Sequence, residues 1–332
     1  MFWGRNAALI RYESYVGCSG LKQETEVLSS ETARQNVVAS KSFPPQLALI
    51  FTIVMWGCSF VAAKAALREV SPITLTFTRF GMGTLLLFGI LGARKINPLP
   101  PRDAWPALAL MGFVGIFVHQ MLQAFGLNMS SAIHAGWLIG LVPIWSAILS
   151  AALLKERFGI MKVAGLVGGF IGALLVISKG QLNAQALSLP STRGDFLILV
   201  STLNWAIYSI MGHATIKRLG ATRATAGAML FGWLMLLPLF LYERGWHQWP
   251  HISGAGWEAI FFLGIGCSAI GYLTWYSALE RIEVSRVAAF LYAQPLVTLI
   301  AAVLLLNEQV TATTLVGGVM VLASVFVIQR AK

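Results

Sequence analysis

Apolar runs of about 20 residues recur along this chain, each long enough to cross roughly 30 Å of hydrocarbon. From residue 45 onward this pattern predicts an all-α, polytopic membrane protein with ten transmembrane helices. The predicted spans are 45–65, 72–92, 105–125, 132–154, 159–178, 195–214, 223–242, 256–278, 285–306 and 312–329. Because most connections are short, neighbouring spans are expected to be antiparallel.

The predicted spans fall into two groups of five. The first group covers 45–178, the second covers 195–329, and residues 179–194 form the predicted linker. Residues 1–44 are mixed and polar, with a stretch rich in Ser, Thr, Glu and Gln at 22–41, which predicts a disordered cytoplasmic tail, with an overlong predicted start of the gene as the alternative.

A proline, a glutamate and a glycine recur with one spacing near the end of each group. The two copies are Pro143, Glu156 and Gly165, and Pro295, Glu308 and Gly317. In both, the glutamate follows the proline by 13 positions and the glycine by 22, and the copies are 152 residues apart. A repeat with an odd number of crossings must insert its second copy upside down. The pattern therefore predicts two inverted five-helix repeats, a plan typical of secondary transporters with the substrate between the halves.

The matched prolines lie near the middle of their predicted spans. A proline removes one backbone donor, frees a carbonyl one turn earlier and kinks the helix. Pro143 and Pro295 are therefore predicted hinges, with a static packing kink as the alternative. Glu156 and Glu308 are expected to order the entry of the next helix, as acidic groups at helix N-termini do.

Composition agrees with a bilayer environment. The chain is 57% hydrophobic and 11% charged, with a mean hydropathy of +0.73, whereas soluble domains are about 25% charged. The net charge of +11 does not indicate nucleic acid, because the Lys and Arg residues lie at helix ends and in loops. Of these 24 residues, 18 fall on the side of both termini and five on the other, which predicts cytoplasmic termini.

Polar and aromatic side chains far from the span ends come from corresponding helices of the two groups, and they predict an amphipathic substrate cavity. They are Trp56, Ser59, Gln120, Gln123, Trp137, Asn204, Trp205, Tyr208, Tyr272, Trp275, Tyr276, Tyr292 and Gln294. The alternative is that each aromatic ring fills a gap or sits at the membrane interface.

Two ionisable residues within the spans each have one functional and one structural interpretation. Arg79 could attract an anionic or zwitterionic substrate, or clamp backbone carbonyls. No Asp or Glu lies near the midplane, so His134 is the predicted proton-linked residue, with a structural histidine as the alternative. Pro250 interrupts the spacing of His247 and His251, so no metal site is predicted, and the motifs predict neither cofactor nor enzyme.

At these residues the chain resembles the EamA-type branch of the drug/metabolite transporter (DMT) superfamily. Besides the doubled motif, the matching positions are Trp56-Gly57, Phe60, Lys64, Arg79, Gly194-Asp195, Trp205, Tyr276 and Ala278-Leu279. The resemblance implies a ten-helix exporter of the bacterial inner membrane with a cavity between two inverted five-helix bundles. It also implies amino acids, other metabolites or toxic compounds as substrates.

The sequence therefore predicts a secondary carrier that exports a small organic molecule by alternating access, through rocking of the two bundles about the prolines. The expected partners are the substrate and the lipid bilayer, and a homodimer is left open. The alternative is a membrane-embedded binding, scaffold or sensor protein that transports nothing. Transport into proteoliposomes separates the two.

Overall fold

The computed structural model describes residues 44–130, 135, 138–178, 193–297, 300 and 312–331. Within these ranges all regular structure is helical. The first half contains α1 Pro45–Ala66, α2 Pro72–Ala93, α3 Arg102–Met129, α4 Val142–Leu154 and α5 Ile160–Ser178. The second half contains α6 Arg193–Leu219, α7 Ala221–Tyr242, α8 Gly254–Leu279, α9 Val284–Ala289 with a 3₁₀ turn at Phe290–Ala293, and α10 Ala312–Arg330.

Local sequence explains where several helices begin. Pro45 and Pro72 open α1 and α2, where a missing N–H costs no helical hydrogen bond. The Ser71 hydroxyl caps α2 by accepting a hydrogen bond from the Thr74 N–H at 3.1 Å. Ser253 caps α8 in the same way, through the N–H of Gly256.

The described helices suit a membrane. Six of those described are long and apolar enough to cross one, namely α1, α2, α3, α6, α7 and α8, and α4, α5 and α10 are shorter apolar helices. Large apolar side chains such as Leu85 and Val319 point outward, with 74% and 68% of their surface exposed. Lipid is the environment in which such side chains are stable.

Hydrogen bonds between helix ends define two sides of the molecule. The Pro45 side holds the start of α1 and the contacts of Arg218 with Asp103 and of Arg286 with α10. The Ala66 side holds the end of α1, where Lys64 Nζ donates to the Ser130 carbonyl at 2.9 Å.

The first helix of each half packs mainly against the other half. Helix α1 lies on α8 and on the turn after α9, and α6 lies on α3 and α4. Helices α2 and α7 pack together, as do α4 with α9 and α5 with α10. The packing groups therefore do not coincide with the two five-helix groups of the sequence.

Close approach of α5 and α10 depends on glycine. A Cβ added at Gly172 would lie 2.8 Å from the Gly317 carbonyl oxygen, and one at Gly317 would lie 2.7 Å from the Gly172 carbonyl oxygen. Small residues at these two positions thus let the helices pack closely within the chain.

Candidate functional site

Four aromatic rings meet at the centre of the described helices. Trp56 of α1 contacts Trp205 of α6 and Trp275 of α8, each with ring centroids 5.2 Å apart. Tyr272 of α8 lies 5.7 Å from Trp56 and 5.4 Å from Trp205. We call these four residues the ring cluster. Their mostly tilted and edge-on contacts are the favoured aromatic geometries.

Widened helical turns set the positions of these rings. Residues Phe113–Val118 of α3 and Phe262–Gly271 of α8 form π-helical segments, which shift the register of the residues that follow. Trp56 Nε1 donates to the Cys267 carbonyl at 3.1 Å, and Asn204 Nδ2 donates to the Val114 carbonyl at 2.7 Å. In each case the donor comes from the first helix of the opposite half.

Residues separated by the repeat distance meet at the ring cluster. Gln120 Nε2 donates to the Tyr272 hydroxyl at 2.7 Å, and these residues are 152 positions apart. Both side chains are buried and follow the π-helical segment of their own helix. This contact joins α3 to α8 across the middle of the molecule.

A cavity of about 60 Å³ lies against the ring cluster, with room for several water molecules. Its walls come from α1, α2, α3, α6, α8, the start of α4 and the α9 segment. The lining residues are Trp56, Ser59, Phe60, Arg79, His119, Gln120, Gln123, Ile139, Val142, Ser201, Thr202, Trp205, Tyr272, Leu291 and Gln294.

The cavity lies toward the Ala66 side of the ring cluster. Along α6 the chain runs from Ser201, which lines the cavity, through Trp205 to Tyr208 on the Pro45 side. Tyr208 and Tyr276 are completely buried, and their rings pack 5.3 Å apart. These two rings pack between the ring cluster and the Pro45 side.

Arg79 supplies a positive charge to the cavity wall. Its Nε donates to the Ser268 hydroxyl at 2.9 Å, and its guanidinium lies 5.0 Å from the centroid of the Phe80 ring. Among the residues that the structure describes, none pairs an acidic side chain with it or bonds its terminal nitrogens. A guanidinium in this state can bind a carboxylate through two parallel hydrogen bonds.

His119 adds a hydrogen-bond acceptor to the same cavity. Its Nδ1 lies 3.1 Å from the Ser201 carbonyl oxygen, and its ring contacts Trp205 in a tilted arrangement with centroids 4.8 Å apart. A carbonyl only accepts, so Nδ1 carries the proton and Nε2 of the neutral ring is left as an acceptor. His119 was not predicted from the sequence, where His134 was the proton-linked candidate, although its neighbour Gln120 was among the predicted residues.

The predicted cavity residues lie in several places. Those on the lining are Trp56, Ser59, Gln120, Gln123, Trp205, Tyr272 and Gln294, and Arg79, predicted separately to attract substrate or to clamp backbone carbonyls, lies there as well. Trp275, Tyr208 and Tyr276 lie beneath it, and Asn204 bonds the π-helical segment of α3. Tyr292 donates to the Leu166 carbonyl of α5 at 2.9 Å and packs on that helix. His134, Trp137 and Glu308 lie outside the described residues.

Both predicted hinge prolines stand where the helical path changes. Pro143 lies in the first turn of α4, after a turn at 140–141, and not inside a continuous helix. Pro295 follows the 3₁₀ turn Phe290–Ala293. Their motion stays a prediction.

Comparison with known proteins identifies the family. Residues 44–178 and 192–330 each match the model of the EamA-like transporter family. The chain belongs to this family. It is therefore a multi-pass membrane transporter of the DMT superfamily, as the resemblance implied.

Relatives of this EamA-like transporter cover nearly its whole span region. An uncharacterized transporter of Archaeoglobus fulgidus is 31% identical over 289 residues, which are 86% of this chain and 99% of the relative. A probable terminal-alkyne amino-acid exporter of Streptantibioticus cattleyicolor is 28% identical over 283 residues, 85% of this chain and 92% of the relative. A crystal structure with 20% identity superposes with a TM-score of 0.70, covering 85% of this chain and 95% of that one, and shows the same fold.

Proposed function

We propose that this protein is a secondary active or facilitative carrier that exports a small, amphipathic, amino-acid-like zwitterion by alternating access. The observation that carries the proposal is Arg79, a cation in a cavity wall that has no acidic partner among the described residues. A substrate carboxylate would supply the missing anion.

The rest of the lining suits the same substrate class. The Nε2 acceptor of His119 can receive a hydrogen bond from a substrate ammonium group, and Gln123 offers a neutral amide nearby. Trp56, Trp205 and Tyr272 form an aromatic floor for an apolar side chain. The similarity to an exporter of an amino acid supports this class.

The packing supports relative movement of two helix groups, each of which contains the first helix of the other half of the sequence. One group is α1 with α8 and α9, the other is α3 with α4 and α6, and both contribute to the cavity. Rocking about Pro143 and Pro295 would expose the cavity alternately to the two sides. The contact of Gln120 with Tyr272 across 152 positions supports an inverted repeat of two five-helix halves.

The charge distribution supports an orientation. Of the 24 Lys and Arg residues, the predicted spans assign 18 to the side of both termini. The described members of this set, such as Arg218 and Arg286, lie on the Pro45 side, which we assign to the cytoplasm of a bacterial inner membrane. In this orientation the cavity faces outward, as a carrier does when it releases an exported substrate.

Counterflow in proteoliposomes tests the proposal. Vesicles containing the purified protein are loaded with one unlabelled L-amino acid at a time, and uptake of the same labelled amino acid is followed. Stimulated uptake of at least one amphipathic amino acid, absent from empty vesicles, is expected. Binding without any flux would refute transport and favour the scaffold alternative.

A further inference from the structure

Three helix ends meet around one carboxylate on the Pro45 side. Glu156, just after α4, is largely buried and accepts a hydrogen bond from the Val284 N–H at 2.9 Å. It also accepts from the hydroxyl of Ser285 and, at 3.4 Å, from Lys162 Nζ of α5. Glu156 therefore caps α9, in the other half of the chain. The sequence had predicted that it would order the next helix, which it contacts only through Lys162.

A left-handed residue aims this glutamate at α9. Lys155 ends α4 with φ 56° and ψ 32°, and the Glu156 N–H bonds the Ser150 carbonyl at 3.2 Å. The Lys155 N–H bonds the same carbonyl, so two successive N–H groups close the end of α4 on Ser150. The left-handed position after a helix is usually glycine. The turn reverses the chain and directs residue 156 away from the axis of α4.

Lys162 supplies the second link between the halves. Its side chain is 2% exposed, and its Nζ donates to Glu283 at 2.9 Å in addition to Glu156. The ammonium group also lies 4.4 Å from the centroid of the Phe158 ring. An ammonium group with so little access to water needs both carboxylates for its stability.

Arg286 extends the assembly to the end of α10. Its Nε donates to Glu283 at 3.0 Å, and its two terminal nitrogens donate to the carbonyls of Gln329 and Ala331 at 2.7 Å each. Gln329 Nε2 returns a hydrogen bond to the Arg286 carbonyl at 2.9 Å. Helices α9 and α10 are thus joined as one unit at this side.

We infer that Glu156, Lys162, Glu283 and Ser285 form a lock that holds the Pro45 side closed and must open before the cavity can reach that side. The inference rests on the proposed alternating access. Three hydrogen bonds join α4 and α5 to α9 in this lock. Glu156 accepts two of them, from the Val284 N–H and the Ser285 hydroxyl, and Lys162 donates the third to Glu283. Separation of these helices must break all three. This gives a role to the first copy of the doubled proline–glutamate motif. Pro143 lies in the first turn of α4, and Glu156 attaches the other end of α4 to α9.

Access of a thiol reagent to α4 tests the lock. Ser150 is completely buried one turn before the lock, on the helix that packs against α9. The variant Ser150→Cys is made in a chain whose Cys18, Cys58 and Cys267 are replaced by alanine, and its modification by a charged methanethiosulfonate is timed in detergent. Adding Glu156→Gln should raise the modification rate about tenfold, because a neutral amide oxygen accepts hydrogen bonds more weakly than a carboxylate.

Two further variants make the test specific. Ser285→Ala removes one hydroxyl, keeps every charge and should give a smaller increase in rate. Glu69→Gln is the matched control, because Glu69 caps α8 on the Ala66 side by accepting from the Ser253 N–H at 2.7 Å and hydroxyl at 2.8 Å. The Glu69→Gln variant should leave modification of the thiol at position 150 unchanged.

The outcomes separate the lock from the transport proposal. Equal rates with and without Glu156→Gln, or an equal increase with Glu69→Gln, would overturn the lock even if counterflow is present. A selective increase without counterflow of any amino acid would support the lock and refute the proposed transport. Monodisperse elution from a sizing column is required of every variant, and Ser285→Ala decides the matter if Glu156→Gln aggregates.

Discussion

Arg79 gives the sharpest test of the substrate class. In the structure its Nε is held by the Ser268 hydroxyl, which leaves its terminal nitrogens for a ligand. Arg79→Lys keeps the charge but offers one point donor, whereas Arg79→Gln removes the charge. A hydrogen bond to a charged group contributes about 1.5–3 kcal/mol, so losing one of two should weaken binding roughly 10- to 150-fold. Arg79→Gln, which also loses the charge, should weaken binding further.

The assay compares two ligands. Affinity for the amino acid found by counterflow is measured by thermal shift or calorimetry, alongside the amine that lacks its carboxyl group. The parent protein should prefer the amino acid, and Arg79→Gln should bind the two about equally. Ser268→Ala, which frees the guanidinium but leaves the charge, should have a smaller effect than either Arg79 variant.

One result would refute this reasoning. If Arg79→Gln folds and still prefers the amino acid over the amine as strongly as the parent does, Arg79 does not bind the carboxylate. Its role would then be confined to holding α2 against α8 through Ser268.

Three further predictions follow from the described contacts. Trp205→Ala and Gln294→Ala should each change counterflow while membrane insertion is kept, and unchanged counterflow in both would count against the cavity. Gly115→Ala should lower the melting temperature, because its Cβ would lie 2.2 Å from the Tyr208 ring and such overpacking costs about 1–3 kcal/mol; an unchanged melting temperature would contradict this contact. Partial burial raises the pKa of Glu283. Hydrogen bonds and positive charge from Lys162 and Arg286 lower it by more, so the net pKa lies below the usual 4.5. A carboxyl group with a depressed pKa contributes stability at higher pH, and this contribution is lost only as pH falls through the folded-state value. The ratio of modification rates between a Glu283→Gln variant and its parent should therefore be constant from about pH 5 to 8; a change in that range would exclude this ion pair as the cause.

Hydropathy predicted much of the helical framework because span length and proline position fix it locally. Span 72–92 is found as Pro72–Ala93, and span 223–242 as Ala221–Tyr242. Span 195–214 extends to Leu219, where Arg218 reaches Asp103 on the Pro45 side.

The sequence did not show which helices would pack together. Most of these helices are apolar on every face, so periodicity does not indicate a partner, and the exchange of α1 and α6 between halves was not predicted. Likewise, the π-helical segments have no local signature such as proline. They determine that Gln120 reaches the cavity and that Asn204 bonds a backbone carbonyl instead.

The contact of Gln120 with Tyr272 has a consequence for how such a carrier can diversify. In the inverted repeat proposed above, these two residues occupy equivalent positions on either side of the axis that relates the halves. Because both halves belong to one chain, the two positions need not carry the same residue. An amide can then donate to a phenol at 2.7 Å, and each side of the axis can adapt to a different part of an asymmetric solute.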